Sequence, residues 1–329
     1  MAKKLIKAEL ETSLINRELK EVEEILYGRA RSGVHLVNEV SRYLLANGGK
    51  RFRPSLLLLS SKLCGYEGRD HLLCAAAVEY AHTATLLHDD VVDEARCRRG
   101  RPSANRLWGN EASVLVGDYI LFQGYQILMQ IRNLRIMDLI TEIAIRMAEG
   151  ETEELAHRGK LDVSEDRYFS VITDKTAVLM SAACKIGAIL GEAKPAFEEA
   201  LAEFGLNLGI AFQLVDDALD YIGDESLWGK EVGKDFNEAK ATLPLIHSYQ
   251  SSPASARIRL EKFFKKRCRL KSEFREVLGY LAETNSIGYT LERARNYIDT
   301  AKKNLEIFQD CPSKQALLAM SDYVVERRV

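Results

Sequence analysis

Apolar residues recur three and four positions apart along almost the whole chain, within segments rich in Leu, Ala, Glu and Lys. β-Branched residues stand mostly singly inside these segments. No run alternates apolar and polar positions as a half-buried strand does. Only six prolines interrupt the pattern, which predicts an all-α bundle of roughly ten or more helices. A first amphipathic helix is expected from Lys4 to Leu26, and a second from Val34 to Leu45, stopped by Asn47-Gly48-Gly49. Pro54 opens the next helix, whose Leu56-Leu57-Leu58-Leu59 run reads as buried. A turn at Cys64-Gly65-Tyr66 precedes a helix from Leu72 to Asp93, and Arg96 to Pro102 reads as a loop. Helices follow over Ala112 to Gln130 and Leu134 to Glu153. Another starts at Glu165, capped by Ser164, and bends near Thr173-Asp174-Lys175. Pro195 opens a helix that continues through Leu201 to Tyr221. Gly223 to Ala241 is polar and glycine-bearing, the profile of a mobile flap. Helix resumes over Pro244 to Tyr249, and the remainder breaks into shorter helices near Pro253, Asn285-Ser286 and Pro312. No linker-like stretch divides the chain, so a single domain over residues 1–329 is expected.

Composition changes this picture little and removes several functions. Hydrophobic residues make up 47% of the chain and charged residues 29%, ordinary for a globular protein with a large core. A net charge of −2 argues against nucleic-acid binding, so any anionic ligand must be held by local basic clusters. The first residues, Met1-Ala2-Lys3-Lys4-Leu5-Ile6-Lys7, lack the apolar stretch of a signal peptide, and no run approaches a membrane span. The six cysteines (Cys64, Cys74, Cys97, Cys184, Cys268 and Cys311) form no C-x-x-C pair. Reduced thiols in a cytoplasmic protein are the expectation, with no zinc site or disulfide framework.

The chemistry gathers at two acidic clusters. Asp89, Asp90 and Asp93 end one apolar helix, and Asp216, Asp217 and Asp220 repeat the spacing near the end of another. Asp89 and Asp93 lie one turn apart on one face, where like charges repel, and both oppose the helix dipole. A divalent cation offsets such repulsion, and hard carboxylate oxygens suit Mg²⁺. A solvated acidic helix end is the plain alternative for one cluster; two copies suggest two walls of one metal site. Basic groups flank both. Lys50, Arg51 and Arg53 follow a glycine turn, and Arg98, Arg99 and Arg101 follow the first cluster. Arginine forks and lysine ammonium groups bind phosphate, although each run alone is more often a solvated surface. His82 shares the face of Asp89 two turns below, the place of a core histidine if nothing else were near. Lys175-Thr176 sits at the helix irregularity, Gln213 lies one turn before Asp216, and Lys230 and Lys234 in the flap are placed to close over bound phosphates.

In this order the blocks resemble the trans-type polyprenyl diphosphate synthase family over nearly the whole chain. Gly48-Gly49-Lys50-Arg51-Phe52-Arg53-Pro54, His82 to Asp93 with Arg98-Arg99-Gly100, Lys175-Thr176, and Phe212 to Asp220 followed by Gly229 to Asp235 each match a family motif. The resemblance implies the isoprenoid synthase fold around a central apolar cavity, usually as a homodimer. It also implies condensation of isopentenyl diphosphate with an allylic diphosphate such as farnesyl diphosphate. Mg²⁺ is the implied cofactor, with Asp89, Asp93 and Asp216 as principal ligands and Asp90, Asp217 and Asp220 behind them. Arg98, Lys175, Thr176, Gln213 and Lys230 match contacts to the allylic diphosphate. Lys50, Arg53, His82 and Arg99 match the isopentenyl pocket. No nucleic acid is implied, and membrane contact is at most peripheral, for product release.

In the family, bulky residues shortly before the first aspartate limit the product. Ala81, Ala84 and Thr85 stand there, all small, and the wording of the motif most resembles long-chain quinone side-chain synthases. A long-chain, octaprenyl-like product is expected, with Phe122, Tyr125 and Met129 as candidate floor residues that are equally plain core. Three alternatives stay open: a geranylgeranyl or farnesyl diphosphate synthase, a class I terpene cyclase, and a non-catalytic subunit of a heteromeric synthase. The second acidic motif and the isopentenyl-pocket cations argue against a cyclase, and two intact acidic motifs against an inactive subunit.

Overall fold

The structure, a computed structural model, describes residues 13–46, 49–222, 233–266 and 270–326. Helix dominates, as the apolar periodicity requires, and the described residues fall into two compact units. One unit takes residues up to Ala144 together with Leu179–Gly205 and Asn304–Met320. The other takes Ile145–Val178, Leu206–Lys303 and the residues from Ser321.

Helix α1 (Asn16–Arg29), α2 (His35–Ala46), α3 (Phe52–Leu63), α4 (Asp70–Val92) and α5 (Ala104–Ile131) build most of the first unit. Pro54 sits in the first turn of α3, where its missing N–H costs nothing, and Leu56 to Leu59 are fully buried. The most extensive packing is between α4 and α5. Small residues make it close: a methyl group on Gly117 of α5 would lie 2.3 Å from Nε2 of His88 on α4. Tyr80 of α4 donates its hydroxyl to Leu26 O of α1 at 2.5 Å, satisfying a buried polar group.

Two local differences from the sequence expectation have clear causes. The expected loop Arg96–Pro102 holds a minimal antiparallel ribbon, β1 (Cys97–Arg98) against β2 (Arg101–Pro102). Its turn residues Arg99 and Gly100 both have positive φ, 52° and 75°, as tight hairpins require. Helix α5 starts eight residues before the expected Ala112, because the chain passes through a kink at Gly109 (φ 86°, ψ 165°) rather than stopping there. The expected first helix from Lys4 begins outside the described residues; its described part runs to Arg29.

Helix α6 (Leu134–His157) supplies residues to both units, and α7 (Glu165–Ile172) follows, with Ser164 Oγ accepting from the Arg167 N–H at 3.2 Å. The bend expected near Thr173 is a π-helical turn, Thr173–Ala177, leading into α8 (Val178–Leu190). Helix α9 (Pro195–Ile222) carries the second acidic cluster. Of the expected flap, residues 223–232 lie outside the described residues. The described end is anchored: Lys234–Asn237 forms one turn, α10, and Phe236 is buried among Leu161, Tyr221, Phe263, Phe264 and Val277. Helices α11 (Leu243–Ser251), α12 (Ala254–Phe264), α13 (Lys271–Glu283), α14 (Ser286–Asn304) and α15 (Pro312–Glu326) complete the chain, with breaks at Pro253, Asn285 and Pro312.

Candidate active site

In the first unit, the end of α4 and the ribbon bring acid and base together. Asp90 is buried, and Nε and Nη2 of Arg98 both lie 2.8 Å from its Oδ1. The Asp90 carbonyl accepts from Asn105 Nδ2 at 3.0 Å and from the Ala95 N–H at 2.9 Å. Asp90 therefore braces the ribbon. Asp89 and Asp93 are half-buried, and the Asp93 N–H closes the last turn onto Asp89 O at 2.8 Å. The ribbon turn carries Arg99 back toward the motif before α3: a methyl group on Gly49 would lie 3.2 Å from both Nη atoms of Arg99. Lys50 is exposed and Arg53 half-buried beside it. His82 sits among these cations. Burial, and then the charges of Arg53, Arg99, Arg98 and Arg51, hold its imidazole well below the usual histidine range, so it is neutral near pH 7. Of the sequence-derived set, Arg53 and Arg99 are thus brought to His82, and Lys50 follows the Gly49 backbone that Arg99 approaches.

Of the small residues before Asp89, Ala81 and Thr85 are half-buried, whereas Ala84 has no accessible surface. Phe122 and Met129 are 66% and 67% exposed, on the outer face of α5, so neither is a core residue; Tyr125 is half-buried.

In the second unit, the three aspartates of α9 part company. Asp217 is buried. It accepts from the Tyr168 hydroxyl at 2.5 Å and from Gln213 Nε2 at 2.7 Å, while Thr176 Oγ1 donates to Gln213 Oε1 at 3.1 Å. Burial pushes the Asp217 carboxyl up to about 7 despite these donors. Asp220 accepts from the backbone N–H groups of Lys234 (3.1 Å) and Asp235 (2.9 Å), starting α10; burial raises its carboxyl to about 6. Asp216 is half-buried. Lys175 Nζ lies 2.5 Å from Glu151 and 2.6 Å from Glu154, both on α6. Gly150 permits that approach, since a methyl group there would lie 2.8 Å from the Lys175 backbone nitrogen. Lys234 pairs with Glu238 at 3.3 Å, and Lys230 lies outside the described residues. Sequence reasoning missed Glu151, Glu154 and Tyr168; the signals available were the run Glu151-Thr152-Glu153-Glu154 and a glycine inside a helix.

Carboxylate oxygens suit a hard cation, and Asp89 and Asp93 in the first unit and Asp216 in the second are each half-buried. Among the described residues no three His, Cys, Asp or Glu side chains converge into a closed cage. A divalent ion would complete its shell with water and ligand oxygens, as Mg²⁺ commonly does.

The family's sequence model, Polyprenyl synthetase, matches residues 34–281. The chain belongs to this family. It is an enzyme of prenyl transfer, and its all-α fold is the family's. It is 38% identical over 315 residues to octaprenyl diphosphate synthase of Escherichia coli K12, covering 95% of this chain and 97% of the relative. Among solved structures, polyprenyl synthase from Caulobacter crescentus CB15, complexed with calcium and isoprenyl diphosphate, superposes with a TM-score of 0.94 at 35% identity, covering 98% of each chain. Decaprenyl diphosphate synthase from Rhodobacter capsulatus does so with a TM-score of 0.92 at 39% identity, covering 97% of this chain and 99% of that one. As a polyprenyl synthetase, the chain must hold two diphosphates, and its two kinds of charged cluster suit that task.

Proposed function

We propose that this polyprenyl synthetase is a cytoplasmic, Mg²⁺-dependent enzyme that condenses isopentenyl diphosphate with an allylic diphosphate, farnesyl diphosphate for example, to give a long-chain polyprenyl diphosphate. The observation that carries the reading is the pairing of two intact aspartate motifs with the Lys50, Arg53, His82 and Arg99 cluster, in a chain similar to octaprenyl and decaprenyl diphosphate synthases. Small residues at Ala81, Ala84 and Thr85 support the long product. The match over residues 34–281 draws on both compact units, which supports one catalytic domain.

Asp89, Asp93 and Asp216 are the residues that would hold Mg²⁺, and the ion, when bound, would supply stabilisation of the negative charge on the departing diphosphate. Lys50, Arg53 and Arg99 bind the isopentenyl diphosphate, and His82 hydrogen-bonds to it. Arg98, Lys175, Thr176, Gln213 and Lys230 serve the allylic diphosphate, with Lys175 exchanging one carboxylate partner for phosphate oxygen. The allylic cation is attacked by the isopentenyl double bond, and a proton then passes to the released diphosphate, so no side-chain base is needed. Apolar helix faces keep water from the cation.

The chain acts as a homodimer. Leu107, Leu115, Phe122 and Met129, spaced by seven or eight residues along α5, are 48%, 67%, 66% and 67% exposed. That is the spacing of a helix seam awaiting a partner. No helix among the described residues is long and apolar enough to cross a membrane, and contact with a bilayer is peripheral.

The direct test incubates the protein with farnesyl diphosphate, isopentenyl diphosphate and Mg²⁺ and sizes the product by mass spectrometry. A long-chain polyprenyl diphosphate is expected, absent in EDTA and reduced by about 10³-fold or more in Asp89→Ala and Asp216→Ala. A product no longer than geranylgeranyl diphosphate overturns the chain-length assignment, and full activity in chelator overturns the metal assignment.

A further inference from the structure

We infer that the buried ion pair between Arg51 and Glu79 positions the isopentenyl diphosphate pocket, holding Lys50 and Arg53 in register with His82; this rests on the pocket assignment above. Arg51 stands between the two pocket cations in sequence, yet it faces the other way. Its side chain is only 9% exposed, whereas Lys50 is exposed and Arg53 half-buried. Nη1 donates to Glu79 Oε1 at 2.8 Å, Nε to Glu23 Oε1 at 3.3 Å, and Nη2 to the Leu45 carbonyl at 3.4 Å. One guanidinium thus joins α1, the end of α2 and α4 to the turn that opens α3.

The backbone of Arg51 is equally committed. It takes the left-handed conformation, φ 45° and ψ 42°, which a residue with a Cβ adopts only when its surroundings enforce it. Its carbonyl accepts from both the N–H and the hydroxyl of Ser55, each at 2.9 Å, closing the first turn of α3. That reversal is what turns Lys50 to one side of the helix start and sets where Arg53 follows.

Glu79 supplies the fixed end. It is 5% exposed and lies on α4 three residues before His82, so the two sit about one turn apart on neighbouring faces. The α4 backbone is held there too, with Thr83 Oγ1 donating to Glu79 O at 2.7 Å. The pair therefore spans the gap between the element bearing Lys50 and Arg53 and the element bearing His82. It also moderates charge. Arg51, Arg53, Arg98 and Arg99 crowd around His82, and the Glu79 carboxylate is the negative group acting on Arg99. Without it, Arg51 would be a buried cation lacking its closest counter-ion, and the turn would give way. Asp89 and Asp93 lie ten and fourteen residues further along α4, past the contact, and keep their geometry.

The test separates the two substrates. Arg51→Ala strands Glu79 in the core and can unfold the chain, so Glu79→Gln and Arg51→Lys are the working variants, each assayed below its melting temperature. The KM for isopentenyl diphosphate is expected to rise about tenfold or more, with the KM for farnesyl diphosphate changing less than about threefold. Equal changes in both KM values, or a fall in kcat alone, would mean that the pair only stabilises the fold and would overturn the inference, as would unchanged kinetics. Lys50→Ala is measured alongside. If it leaves the isopentenyl KM unchanged, the pocket assignment itself fails. If it raises that KM and the pair variants do not, the pocket stands and the ion-pair inference alone is wrong.

Discussion

Asp216 and Asp217 are neighbours with the same side chain and opposite circumstances. Asp217 is enclosed and spends its oxygens on Tyr168 and Gln213, whereas Asp216 is half-buried one position away. Tyr168→Phe removes one of those donors while the carboxyl stays buried. A loss of about 1–3 kcal/mol in urea denaturation is expected, as for a buried polar group deprived of one partner; an unchanged midpoint would show that the bond contributes nothing. The contrast marks what a sequence yields at this scale. The D-D-x-x-D spacing locates six aspartates and their helix faces. It does not tell which carboxylates are enclosed and bracing, because that depends on Tyr168, Arg98 and the α10 backbone, which are 49, 8 and about 15 residues away. Arg51 shows the same limit: it reads as one more phosphate-binding cation until its burial against Glu79 is seen.

Elements were more legible than residues. The π-turn at Thr173–Ala177, the Ser164 cap and the breaks at Pro253, Asn285 and Pro312 fall where apolar period and punctuation place them. The ribbon at Cys97–Pro102 was hidden because two-residue strands are too short to show alternation. Helix α5 was expected only from Ala112, because periodicity does not show that the chain stays helical on both sides of a kink at Gly109. Gly150 was silent for a different reason, since only the distance between α6 and the π-turn reveals why a side chain is excluded. Gly150→Ala would force α6 away from Lys175 and Asp174 by backbone contact. A stability cost of about 1–3 kcal/mol is expected, with turnover falling about tenfold or more as Lys175 is displaced. Wild-type kcat in that variant would show that the close approach does not set the lysine.

At the scale of the whole molecule, the all-α class followed from periodicity and the isoprenoid synthase fold from the family resemblance that the motifs carry, while quaternary structure did not. Heptad-like apolar positions on α5 look the same in sequence whether they face the core or a second chain. Only their exposure separates them, and it moves Phe122 and Met129 from the interior to the outer face. Leu115→Glu with Phe122→Glu is expected to reduce the light-scattering mass from twice 37.1 kDa to a single chain. A monomeric wild type, or a dimer that survives both charges, would remove the proposed seam.

The neutral imidazole of His82 has a consequence for the binding equilibrium. Burial first, and then the surrounding arginines, keep the proton off. In the proposed pocket, a diphosphate beside this imidazole would add negative charge and favour the imidazolium, so that ligand and proton would bind together. By linkage, substrate affinity then weakens as pH climbs from the histidine's value in the empty pocket to its value in the filled one. The observed binding enthalpy also includes the ionisation heat of whatever buffer gives up that proton. The histidine would thus make the proposed pocket a sensor of its own occupancy, registered in protons.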